Sequence, residues 1–204
     1  MAPTLKLTYH DARGRAEATR LALYIGGIDF EDVRVNGEQL AEIQPTLPFG
    51  HVPVLEVDGE AIAQGIAHQI YAGKLAGLYP QDNLAALRVD ECLQLVQDLT
   101  DLIVPSLFEK DADKKAAMRK ALAEETLPKW FGMIEARLQS RGWSHAAGNE
   151  LTVADLAFYN FVMWIRRGVL DGIPRTTVDP YPKMISVAET VDGHPKVKEW
   201  NEKH

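Results

Sequence analysis

The chain is poor in several things that would give it away cheaply. It holds one cysteine, Cys92, in 204 residues, so no internal disulfide can form and a disulfide scaffold is excluded. That economy fits a reducing compartment. No apolar run approaches the ~20 residues of a membrane-spanning helix, and the opening Met1-Ala-Pro-Thr-Leu-Lys6 lacks the apolar core of a secretory signal. A soluble, cytoplasmic protein is expected. Positive charge is in deficit: 22 Lys and Arg stand against 29 Asp and Glu, for a net charge of −7. Nucleic acid and anionic membranes are therefore not expected partners. There is no glycine-rich phosphate loop of the Walker or dinucleotide type. The histidines His10, His51, His68, His145, His194 and His204 show no metal-ligand spacing, so no metal site is expected.

What is present is a globular composition, 46% hydrophobic and 25% charged, enough for one domain or two small ones. Thr4 to Tyr9 alternates as a strand, with Leu5 and Leu7 on one face. After the turn His10 to Gly14, Arg15 to Gly26 reads as a helix with Ala18, Leu21, Ala22 and Ile25 on one stripe, stopped by Gly26-Gly27. Phe30 to Val35 is a second strand, and the strand–helix–strand spacing predicts a parallel unit. A less regular segment, Gly37 to Pro48, follows, with one helix allowed in it, so that roughly the first 75 residues read β-α-β-(α)-β-β-α. Then comes the stretch that organises the rest, Leu47 to Gly65. Val54 to Val57, Asp58-Gly59 and Glu60 to Gln64 spell a hairpin. Pro53 at the strand entrance predicts an edge or a turn, leaving backbone near Val52 open to an added peptide strand. The next helix begins at Gly65, and its free N–H groups suit a carboxylate. Together these describe a receptor for a short acidic peptide; an ordinary hairpin leading into a helix explains the same residues.

Residues 77–83 are rich in turn formers and read as a linker between a first domain, 1–76, and a second, 84–204. The second domain is helical throughout. Ala85, Val89, Cys92, Val96, Leu99 and Ile103 share one stripe of a helix capped at Asn83 and ended by Pro105, which makes Cys92 a buried, inert thiol. Leu127, Phe131, Ile134 and Leu138 mark a second long helix, bent at Pro128. Thr152-Val-Ala-Asp155 is a capping box, and the apolar helix Leu156 to Ile165 after it reads as the centre of this core. Pro174, Pro180 and Pro182 break the next connection, and two short helices finish the chain.

Tyr9 with Arg13-Gly-Arg-Ala-Glu17, Thr46-Leu-Pro-Phe-Gly50, Val52-Pro-Val-Leu-Glu56, Gln64, Gly77-Leu-Tyr-Pro80 and Leu151-Thr-Val-Ala-Asp-Leu156, in this order and spacing, resemble the cytosolic glutathione transferases, sigma class. The resemblance covers essentially the whole chain. It implies an α/β thioredoxin-like domain that binds glutathione as co-substrate, then an all-α domain supplying the electrophile pocket. It implies a homodimer acting on small apolar electrophiles. Tyr9 takes the place of the hydroxyl that faces the glutathione sulfur, and Arg15 that of a nearby cation favouring the thiolate. Val52 pairs with the cysteinyl main chain, and Pro53 is cis. Gln64 and the N–H of residue 65 hold the γ-glutamyl carboxylate. Asp98 reaches the γ-glutamyl amine of the neighbouring subunit's ligand, although a plain solvated helix face explains it equally well.

The glutathione site also departs from the family. Gly65 stands where serine is usual, Leu40 and Gln44 where tryptophan and lysine are, and His51 where lysine or glutamine is. His51 can still donate to the glycyl carboxylate. Losing one hydroxyl bond to a carboxylate removes ~1.5–3 kcal/mol, so a weakened glutathione site is expected. Two further readings follow from the same residues: a non-catalytic ligand-binding or crystallin-like protein, and a glutathione-dependent isomerase.

Overall fold

Alternating Leu5, Lys6 and Leu7 open the first strand, β1 (Leu5–His10), in the computed structural model, which describes residues 2–204. A 3₁₀ turn at Gly14–Ala16 leads into α1 (Glu17–Ile25). The chain returns in β2 (Glu31–Val35), parallel to β1, with Lys6 opposite Glu31 and His10 opposite Val35. Gly27, at φ 64, ends α1. Its N–H bonds the Tyr24 carbonyl while the Ile28 N–H bonds Leu23, the paired bonds of a left-handed helix stop.

The less regular segment holds the helix allowed for there, α2 (Gly37–Ile43). Asn36 accepts the Gln39 N–H at 2.9 Å and the Gln39 side chain accepts the Asn36 N–H at 2.9 Å. This is a capping box in amide form, which a serine–glutamate template overlooks. Short 3₁₀ turns at Gln44–Thr46 and Pro48–Gly50 bring the chain to β3 (Val54–Val57). Asp58 and Gly59, at φ 51 and 86, turn it into β4 (Glu60–Ala63), as the Asp-Gly pair predicts. α3 (Gly65–Leu75) follows.

The sheet order is β2-β1-β3-β4, with β3 antiparallel to both neighbours. The hairpin strand β3 is thus interior; of the edge or turn expected at Pro53, the edge does not form, and Pro53 stands just before the strand. The proline is tolerated because both ladders begin beyond it: Val54 is opposite Thr8 on one side and Ala63 on the other. Val52 lies past the end of these ladders.

By packing, the chain divides into two units, residues up to Asp82 together with Pro195–His204, and Asn83–His194. In the second, α4 (Asn83–Ile103) buries Val89, Cys92, Leu93, Leu99 and Ile103. Pro105 opens a single-turn helix, α5 (Pro105–Phe108). Next comes a helix that periodicity did not reveal, α6 (Ala112–Ala121), whose Asp111 cap accepts the Lys114 N–H. A wide π turn, Leu122–Thr126, joins it to α7 (Leu127–Arg141). Pro128 has no N–H to give and its ring crowds the carbonyl four residues back; the widened turn makes room for it. α8 (Val153–Arg166) buries ten of its 14 residues, including Leu156, Phe158, Phe161 and Ile165, and forms the middle of this unit. Asp155 accepts the N–H groups of Ala146 at 2.6 Å and Thr152 at 2.8 Å. The carboxylate of Glu135 caps α9 (Pro182–Asp192) by accepting the N–H groups of Lys183 and Met184.

The last helix, α10 (Pro195–Lys203), groups with the first unit rather than with the helical domain expected over 84–204. Its Trp200 is buried, donates to Glu17 at 2.9 Å and packs near the rings of Tyr24 and Phe30. Among the described residues no helix is long and apolar enough to cross a membrane.

Candidate functional site

The end of β1 places Tyr9 against the turn that opens α1. Its ring is buried at 8% exposure, packed with Leu7, Ala16 and Leu55, and the half-buried Val52 lies against the same cluster. The phenolic oxygen accepts the Arg15 backbone N–H at 3.2 Å. An acceptor bond of this kind leaves the hydroxyl proton free to donate elsewhere and polarises it toward that use. Gly14 permits the geometry. It sits at φ 43, and a Cβ there would lie 2.6 Å from the Tyr9 oxygen and 2.7 Å from Cε1. Only a residue without a side chain lets the phenol approach so closely.

Beneath this turn runs a buried charged network that composition does not disclose. Arg20 is fully buried. Its guanidinium donates to the carbonyls of Ala12 at 2.7 Å and Arg13 at 3.3 Å, to Glu17 at 3.3 Å and to Asp32 at 2.8 Å. Its Cζ also lies 5.9 Å from the centre of the Tyr9 ring. Periodicity treats Glu17 and Arg20 as an exposed helix face. No local pattern marks their burial, because it depends on partners distant in sequence, Asp32 for Arg20 and Trp200 for Glu17.

Arg15, half-buried, stands beside the start of α3. Its carbonyl accepts from Gln69 at 3.4 Å. A Cβ on Gly65 would lie 3.6 Å from that carbonyl, 3.8 Å from the Arg15 Cβ and 3.5 Å from Pro53 Cγ. The structure therefore brings Tyr9, Arg15, Pro53 and Gly65 together, with Val52 next to them and the Val52–Pro53 bond cis. Gln64 precedes α3 at φ 80 and ψ 103, a region costing a non-glycine residue about 1–3 kcal/mol and commonest at functional sites. Gln64, not Gly65, is the helix cap, and Gly65 is the first helical residue. The first helical bond runs from the His68 N–H to the Gln64 carbonyl, so the N–H groups of residues 65–67 face outward from the helix start. Such donors accept a carboxylate.

The remaining candidates are more dispersed. Leu40 is half-buried on α2, and Gln44 is exposed with its amide donating to the Gly50 carbonyl at 2.8 Å. His51 is exposed, its ring centre 6.4 Å from that of Phe49. Asp98 is exposed on α4, in the second unit. His68 is buried, and one ring nitrogen, Nε2, donates to the Ile62 carbonyl at 2.8 Å while Nδ1 has no partner. Burial holds its pKa below the ordinary histidine value. Cys92 is buried, and burial pushes its thiol up, as suits an inert side chain. Among the described residues no cluster of three or more histidine, cysteine or acidic side chains could hold a metal ion.

Comparison with known proteins shows the family. The N-terminal domain of glutathione S-transferase matches residues 5–72, and its C-terminal domain matches residues 97–204. Glutathione S-transferase 3 of Caenorhabditis elegans is 29% identical over 96% of this chain and 94% of its own length. Hematopoietic prostaglandin D synthase of Gallus gallus is 31% identical over 98% of this chain and 96% of its own. Among solved structures, prostaglandin synthase D of Nilaparvata lugens superposes with a TM-score of 0.90 at 31% identity, covering 99% of this chain and 98% of that one. The chain belongs to the glutathione S-transferase family.

Proposed function

We propose that this chain is an enzyme that conjugates the thiolate of glutathione to small apolar electrophiles. The observation that carries the reading is the Tyr9 hydroxyl, held at 3.2 Å by the Arg15 N–H with its proton left to point at a ligand. A free thiol titrates near 8.5, so little thiolate exists at neutral pH. A hydrogen bond to a charged acceptor contributes ~1.5–3 kcal/mol, enough to lower that value by roughly one to two pH units. Arg15 adds a nearby cation, which acts in the same direction. The thiolate then attacks the electrophilic carbon. A carbon–sulfur bond forms, and the leaving group departs with the electron pair of its own bond.

The rest of the site binds the tripeptide. The main chain of Val52, beyond the ladder ends, pairs with the cysteinyl unit beside Pro53, while Gln64 and the Gly65 N–H hold the γ-glutamyl carboxylate at the start of α3. His51 serves the glycyl carboxylate. Leu40 and Gln44 border the site without the charge that the family carries there. The chain acts as a homodimer, in which Asp98 reaches the γ-glutamyl amine of the neighbouring subunit's ligand. Exposed Leu84 and Leu87 on α4 give a second copy apolar surface to cover. A single buried thiol and a net charge of −7 suit the cytoplasm. Detoxification of electrophiles is the physiological role that follows from this chemistry.

A chromogenic aryl halide and purified protein test the reading. Glutathione-dependent conjugation above the uncatalysed rate supports it. Glutathione binding without turnover favours the ligand-binding reading instead, and turnover confined to an endoperoxide substrate favours the isomerase. Light scattering tests the dimer.

A further inference from the structure

We propose that Trp200, on the C-terminal helix, is a positioning residue for the Tyr9 hydroxyl, acting through Glu17 and the Arg13–Arg15 turn. The assignment rests on the transferase reading above and adds a role for a segment far from Tyr9 in sequence. Glu17 is buried, and its carboxylate is the hub. One oxygen accepts the Trp200 indole N–H at 2.9 Å and an Arg13 N–H at 3.1 Å. The other accepts from Arg20 at 3.3 Å. Arg13 also donates to the side chain of Asn201, next to Trp200 on α10, at 2.6 Å.

The two guanidiniums gripped by this carboxylate are the ones that set the turn. Arg20 holds the Ala12 and Arg13 carbonyls; Arg13 is itself part of the turn. The turn delivers two things to the phenol: the Arg15 N–H at 3.2 Å and the bare Cα of Gly14 against the ring. The path from Trp200 to the hydroxyl thus runs through four charged or polar contacts, all inside one packed unit. A buried carboxylate stripped of one donor reorients toward those that remain. Here those are the two arginines, so the turn moves with it. A sub-ångström change in the donor on the Tyr9 oxygen alters how strongly its proton binds a sulfur anion. The bland alternative is that Trp200 only glues α10 to α1.

The test is Trp200→Phe, which keeps a ring against Tyr24 and Phe30 and deletes the N–H, with Asn201→Ala as a milder second variant that folds if the first does not. Three readouts are compared with wild type and Tyr9→Phe: the melting temperature, the pH profile of kcat/KM with an aryl halide, and amide hydrogen exchange of the Arg15 N–H in the ligand-free protein. The positioning role predicts a fall in kcat/KM of about three- to tenfold at neutral pH. It also predicts a rising limb displaced to higher pH by roughly half to one unit, and faster Arg15 exchange. A pH midpoint and Arg15 exchange rate equal to wild type in the folded variants, whatever the melting temperature does, overturn the proposal. If wild type conjugates nothing, the transferase reading falls and this assignment falls with it. An active wild type, a slow Tyr9→Phe and unmoved variants confine the failure to Trp200.

Discussion

Replacing Gly65 by serine asks whether the glutathione site is short of one hydrogen bond. Three facts permit the substitution. Gly65 is the first residue of α3, where any L-residue is accepted. Its backbone is outside the left-handed region, and the nearest atoms to an added Cβ lie at 3.5 Å (Pro53 Cγ), 3.6 Å (Arg15 carbonyl) and 3.8 Å (Arg15 Cβ), ordinary contact distances. The helix gains slightly, about a few tenths of a kcal/mol, because glycine is a poor helix residue. The ligand gains more: a hydroxyl bond to a carboxylate contributes ~1.5–3 kcal/mol, a ten- to hundredfold gain in affinity. The Arg15 carbonyl is a competing acceptor for the same hydroxyl, so the lower end, about tenfold, is expected. Isothermal titration of glutathione into wild type and Gly65→Ser measures it directly. An unchanged dissociation constant, with an unchanged or higher melting temperature, refutes the idea that residue 65 limits binding.

Three other outcomes follow from named contacts. Gly14→Ala drives a methyl into the Tyr9 hydroxyl, only 2.6 Å away, and conjugation falls by more than about tenfold while glutathione affinity changes little; titration and steady-state kinetics separate the two. Asp155→Ala strands the N–H groups of Ala146 and Thr152 and lowers unfolding free energy by about 2–4 kcal/mol in a denaturant titration. His68 is kept neutral by burial, with its pKa below the ordinary value, whereas the unfolded chain takes up that proton near pH 6.5. Its contribution to stability is therefore complete above about pH 6.5 and is lost as pH falls below it. Melting temperatures across that window drop more steeply for wild type than for His68→Gln.

Much of the fold was legible because its signals are local. The alternation in β1, the Asp-Gly turn and the Thr152–Asp155 box each depend on a few adjacent residues. The bounds of α2 are not legible because its cap is Asn36 with Gln39, nor is α6, because its charged sequence buries little beyond Arg119. The interior position of β3 cannot be read from Pro53, which permits an edge or a turn: it argues for an edge only if it lies within the ladder, and the ladder starts one residue later. The return of α10 to the first unit depends on Trp200 meeting Glu17 across 183 residues of separation, which no local pattern encodes. The site shows the same division. Tyr9, Arg15 and Pro53 match the family motif and lie together with Gly65, which departs from it, while the buried Glu17–Arg20 pair beneath them emerges only from packing.

The proposed conjugation depends on a phenol that keeps a sulfur deprotonated. The most direct measurement is the ultraviolet thiolate absorbance of glutathione bound at saturation, titrated against pH in wild type and in Tyr9→Phe. The wild-type complex is predicted to carry mostly thiolate at neutral pH, and the mutant complex to titrate close to the free tripeptide, roughly one to two pH units higher. Coincident titration curves for the two complexes contradict it.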